Sequence, residues 1–114
     1  MWLLLPILLI ALVLSQAPLD NYFCGVDMAS KWTSFIMTSN CDQTGINGCC
    51  FVHDQCYKSC SVPQSFCDRQ FCQCLSSLPV DLYCRNFVIA GHCNIVQWLG
   101  HTHICPQMAQ PPLG

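Results

Sequence analysis

Glutamate is absent from this 114-residue chain, and Lys31, Lys58, Arg69 and Arg85 are its only lysines and arginines. They face six aspartates, for a formal net charge of −2. Phosphate backbones are held by clustered basic side chains, so this balance argues against nucleic acid as a partner. It argues equally against a polybasic grip on anionic membranes. No Asn-x-Ser/Thr glycosylation acceptor is present; Asn21-Tyr22-Phe23 lacks the hydroxyl residue. The one long apolar run, at residues 2–14, falls short of the ~20 residues that cross a bilayer, so no transmembrane segment is expected.

That run has the length of a signal-peptide core, and Ser15 and Ala17 follow it at the spacing a signal peptidase prefers. Residues 1–17 read as a signal peptide and residues 18–114 as one secreted, extracellular domain. No Lys or Arg precedes the run, and Pro18 disfavours cleavage directly after Ala17, which shifts the cut by a residue or two. Cysteine agrees with export. All twelve lie between Cys24 and Cys105, the density of a disulfide scaffold. A chain this short buries a modest core, and crosslinks compensate by restricting the unfolded state. The cysteines fall in C-C and C-x-C pairs and form no paired C-x-x-C knuckles, which favours six bridges over zinc.

The mature chain reads as mainly helical. Cys24-Gly25-Val26-Asp27 has the character of a tight turn. Residues 28–38 place Met28, Trp32, Phe35 and Ile36 at helical spacing, as a short helix or a loosely packed loop. Trp32, Phe35, Ile36 and Met37 serve either the core or an interfacial patch. A helix is expected from about Thr44 to residue 60, with Cys49, His53, Cys56 and Cys60 along one face. Ser61-Val62-Pro63 breaks it. A second helix over 65–78 repeats the stripe with Cys67, Phe71, Cys74 and Leu78. Two such helices joined by a short breaker predict an antiparallel pair stapled by disulfides. A further helix over 81–90 is expected to stop at Gly91, and the tail from residue 93 reads as irregular. His101 and His103, with His92 nearby, read as exposed histidines rather than a metal pair.

The chemistry centres on Cys49 to Tyr57, C-C-F-V-H-D-Q-C-Y. A histidine on a helix is a poised base near neutral pH. The adjacent aspartate points about 100° away, so Asp54 cannot orient His53 and instead suits a metal. A lone carboxylate holds calcium weakly and needs further oxygens, which the turn at residues 23–27 offers as backbone carbonyls.

The pattern C-C-x-x-H-D-x-C-Y, carried by Cys49, Cys50, His53, Asp54, Cys56 and Tyr57, resembles the active-site signature of secreted phospholipase A2. Phe23-Cys24-Gly25 is similar to the start of that family's calcium loop, and Cys72-Gln73-Cys74 to the C-x-C of its partner helix. The likeness covers about residues 22–84 and is greatest to short, divergent invertebrate members. It implies a disulfide-rich, mainly α fold: an antiparallel helix pair with an N-terminal calcium-type loop. It implies hydrolysis of the sn-2 ester of glycerophospholipids at a membrane surface, with Ca²⁺ as cofactor. His53 would be the general base and Tyr57 would orient it. Asp54 and the carbonyls of Phe23, Gly25 and Asp27 would hold the cation, and the Gly25 N–H would face the oxyanion. The implied bridges are Cys24–Cys50, Cys49–Cys84 and Cys56–Cys74.

Two positions depart from the family pattern. Asp27 stands where a glycine supplies a carbonyl ligand, and Leu75 stands where an aspartate orients the base. Asp68, seven residues before Leu75, and Asp81, beyond Pro79, are both too far along a helical path to substitute. The competing reading is therefore a fold-retaining, catalytically impaired protein that binds lipid or a receptor.

Overall fold

The computed structural model describes residues 17–110. The expected leader, apart from Ala17, lies outside the described residues. A short 3₁₀ turn, Ala17–Asn21, leads into the loop, and four helices follow: α1 Met28–Thr38, α2 Gln43–Ser59, α3 Gln64–Ser76 and α4 Ala90–Leu99. Among the described residues there is no strand, and no helix is long and apolar enough to cross a membrane. The fold is mainly α and disulfide-rich.

Each boundary has a local cause. Asp27 and Ser30 form a reciprocal capping box: the Asp27 carboxylate accepts from the Ser30 N–H at 2.8 Å, and Ser30 Oγ accepts from the Asp27 N–H at 3.1 Å. α2 starts one residue before the expected Thr44, because the cap is Asp42, which accepts from the Gly45 N–H at 3.1 Å. It ends at Cys60, which takes a left-handed conformation with φ +53°. Pro63 then opens α3. Gly91 does not stop the last helix. A π-helical turn, Cys84–Ile89, runs directly into α4, which continues to Leu99. The wider turn delays the helix face, so Cys84, Val88, His92 and Val96, spaced four apart, all turn inward.

All twelve cysteines are paired: Cys24–Cys50, Cys41–Cys84, Cys49–Cys74, Cys56–Cys67, Cys60–Cys105 and Cys72–Cys93. The expected Cys24–Cys50 bridge is formed. The implied Cys49–Cys84 and Cys56–Cys74 bridges are not. The reason lies in the short connection between Cys60 and Pro63. It forces the near ends of α2 and α3 together, so Cys56 meets Cys67, and Cys49, seven residues back, meets Cys74, seven residues on. The result is a two-rung antiparallel ladder. Pairing Cys56 with Cys74 would require α3 to slide by seven residues, about two turns.

The main core gathers Leu19, Tyr22, Ile46, Phe71, Leu75, Val88 and Ile89 around Cys24, Cys49 and Cys50. Trp32 and Phe35 pack against it, whereas Ile36 and Met37 are exposed. A polar thread joins lead-in, α1 and α4: His92 Nδ1 donates to the Val88 carbonyl at 2.7 Å, so its Nε2 accepts from Ser34 Oγ at 2.6 Å, which in turn accepts from Tyr22 OH at 2.6 Å. His92 is thereby committed to packing. A smaller cluster of Tyr57, Cys67 and Ile104 seats the C-terminal segment against the other end of the helix pair.

Candidate functional site

The seven-residue register decides what faces His53. On the α2 side, His53 lies between the two rungs of the ladder. On the α3 side, the residue beside the near rung is Asp68. His53 Nε2 and Asp68 Oδ1 are 2.8 Å apart. Tyr57, one turn along α2, donates its hydroxyl to the same Oδ1 at 2.6 Å. Gln64, one turn back along α3, donates from Nε2 to Asp68 Oδ2 at 3.1 Å. Asp68 is the carboxylate expected to be missing. The expectation that it lies too far away fails because it assumed the register in which residue 75 faces His53. In the observed register Leu75 is fully buried in the main core and Asp68 occupies the orienting position.

All four side chains are buried, with exposures of 7% for His53, 7% for Tyr57, 2% for Asp68 and 0% for Gln64. The His53 ring is enclosed by Tyr57 and Phe71, with ring centroids at 4.2 and 4.6 Å. Because the carboxylate accepts, Nε2 carries the imidazole proton, an assignment that follows from the network. Nδ1 is then the basic nitrogen. It has no hydrogen-bond partner among the described residues, and it is not sealed from solvent. The geometry is that of a base held in one tautomer by a buried carboxylate, with its lone pair directed away from that carboxylate. Tyr57 keeps its proton: burial first, then its bond to Asp68, push its pKa far above the usual phenol range.

Asp54 turns to a different side. Its carboxylate is half-buried and makes no hydrogen bond or ion pair with any described residue. Burial raises its pKa, and the charges of His53, Lys58 and Lys31 pull it back in part. The loop at 23–27 is fastened along this side of α2. Cys24 is bonded to Cys50, one turn before Asp54; the Phe23 N–H donates to Asn47 Oδ1 at 2.7 Å; and the Phe23 ring meets Phe51 at 4.9 Å. Gly25 has φ +90°, and a Cβ there would lie 2.7 Å from the Lys31 nitrogen, so only glycine fits.

The carbonyls of Phe23 and Gly25 accept no hydrogen bond among the described residues. These are two of the carbonyls that the resemblance assigned, together with Asp54, to a cation. Asp27 is engaged otherwise. Its carboxylate caps α1, which holds its pKa below the usual carboxylate range, and its carbonyl accepts from the Lys31 N–H at 2.9 Å. Among the described residues no cluster of three or more His, Cys, Asp or Glu side chains is placed to hold a metal ion.

A groove of about 640 Å³ is lined by Ser65, Asp68, Arg69 and Gln73 of α3, Gln97 of α4 and Gln110 of the C-terminal segment. His53 does not line it. On the C-terminal segment His103 is exposed, as expected, whereas His101 is half-buried. Comparison with known proteins adds no relative: no family model, curated protein or solved structure matches the chain.

Proposed function

We propose that this chain is a secreted, calcium-dependent phospholipase A2-type hydrolase that cleaves the sn-2 ester of glycerophospholipids. The observation that carries this reading is the His53–Asp68 couple at 2.8 Å, with Tyr57 bound to the same carboxylate oxygen. An imidazole held this way has the role a water-activating base requires. His53 Nδ1 takes the proton from an attacking water. Asp68 keeps the ring in the Nε2–H tautomer and stabilises the imidazolium that forms, as a triad aspartate does. Tyr57 and Phe71 shield the ring from bulk water. The signature spacing from Cys49 to Tyr57 supports the same class, and six bridges support an extracellular setting.

Asp54 and the carbonyls of Phe23 and Gly25 are the residues that would hold calcium, which when bound supplies positive charge for the oxyanion and the substrate phosphate. The Gly25 N–H is the candidate oxyanion donor. The second reading, a lipid or receptor binder without catalysis, draws on Asp27, whose oxygens serve the helix cap and leave the cation set one ligand smaller.

Hydrolysis of mixed phospholipid vesicles, with calcium or with a chelator, separates the two. Calcium-dependent release of sn-2 fatty acid, lost in His53→Gln, supports the hydrolase. Calcium and vesicle binding without release supports the binder.

A further inference from the structure

The C-terminal segment, irregular by sequence, is drawn onto the acid–base array. Cys105 ties it to Cys60 at the end of α2, and Ile104 packs on Tyr57 and Cys67. Gly100 passes so close that a Cβ would collide with the Tyr57 hydroxyl and sit 2.8 Å from Gln64 Nε2. The Gln110 N–H donates to Gln64 Oε1 at 2.8 Å.

That last bond has a consequence for Asp68. The Gln64 amide has one acceptor and one donor end. With Oε1 on a backbone N–H, Nε2 must face Asp68 Oδ2 at 3.1 Å and the Val96 carbonyl at 3.4 Å. Turning the amide over would set its NH₂ against the Gln110 N–H and its oxygen against the carboxylate. The tail therefore dictates the polarity of Gln64, and Gln64 holds the one oxygen of Asp68 that neither His53 nor Tyr57 reaches.

We propose that Gln64, oriented by the C-terminal segment, is the positioning residue that locks the Asp68 carboxylate and thereby the tautomer of His53. The inference rests on the hydrolase reading for its bearing on rate, but not for its bearing on the imidazole. Without Gln64, Oδ2 is buried and lacks a donor. The carboxylate is then freed to turn, and Nε2–H loses its fixed acceptor.

The test uses the full mature chain with its bridges intact and labelled imidazole nitrogens. Wild type is expected to show neutral His53 almost wholly as the Nε2–H tautomer. Gln64→Leu keeps the volume and removes both hydrogen bonds. It is expected to give a mixture of the two tautomers, with kcat for vesicle hydrolysis reduced at least tenfold and KM unchanged. A side chain that merely fills space would alter stability and leave the tautomer alone. Should Gln64→Leu fail to fold, Gln64→Asn, one methylene too short to span Gln110 and Asp68, is expected to give the same tautomer mixture. An unchanged Nε2–H tautomer in the folded variant overturns the proposal. If wild type hydrolyses no phospholipid but the variant still shifts the tautomer, positioning stands and the hydrolase reading falls.

Discussion

Asp68→Asn is the sharpest perturbation this architecture offers. The two side chains have the same shape, but asparagine has one acceptor and one donor where Asp68 has two acceptors. Asp68 receives His53 and Tyr57 on one oxygen and Gln64 on the other, at 2.8, 2.6 and 3.1 Å. If the asparagine oxygen keeps His53 and Tyr57, its NH₂ meets the NH₂ of Gln64 head on. Gln64 cannot turn to relieve this, because its oxygen is held by Gln110. If asparagine turns instead, its NH₂ faces the Tyr57 hydroxyl and drives the His53 proton from Nε2 to Nδ1.

Either way an unsatisfied donor is left in a site where Asp68 is only 2% exposed. Such a donor costs about 1–3 kcal/mol, and a hydrogen bond that loses its charge assistance forfeits roughly another 1 kcal/mol. The variant should be destabilised by about 2–4 kcal/mol, a fall of roughly 30- to 1,000-fold in the folding equilibrium constant. Urea titration at pH 7 with bridges intact measures this, and vesicle hydrolysis should fall by up to about 10⁴. A variant within about 0.5 kcal/mol of wild type, with full activity, would refute the reasoning.

Leu75→Asp restores the residue type that the resemblance expected, yet it should not raise activity. It places a carboxylate at 0% exposure in an apolar cluster and should cost several kcal/mol in the same titration. Asp54→Asn should be more stable than wild type at pH 7 and equal to it near pH 3. The pKa of Asp54 is raised from 3.8 on folding, so its ionisation opposes the fold as pH rises through the raised value. The same variant should lose any calcium-dependent rise in melting temperature that wild type shows, as calorimetry would report. His92 runs the other way: burial lowers its pKa from 6.5, so stability should fall as pH drops below about 6.5, down to the lowered value. His92→Asn should flatten that part of the pH–stability curve.

Much of the helix pair is visible in the one-dimensional pattern. Cys49 and Cys56, like Cys67 and Cys74, are seven residues apart on a helical stripe, and Pro63 marks the break between them. The same spacing already contains the observed ladder, because a short connection leaves only the near ends to meet. The bridges implied by the family resemblance correspond to a register two turns away, in which Leu75 takes the place of Asp68. Gln64 and Gly100 carried no local signal: a glutamine opening a helix and a glycine ending one are ordinary in sequence. Their roles come from residues 43 and more positions away, Gln64 from Gln110 and Gly100 from Tyr57.

The sequence by itself determined the disulfide-rich helical class, the turn that needs Gly25, and the placing of His53 beside Asp54 on one cysteine-framed helix. These follow from composition, periodicity and backbone sterics, which act over a few residues. Only the tertiary structure decided that Asp68 serves His53, that Leu75 belongs to the core, and that the C-terminal segment holds Gln64 in place. Those outcomes depend on the register between helices. A slide of seven residues preserves every helical stripe, so only the short connection and the bridges it permits select one register over the other.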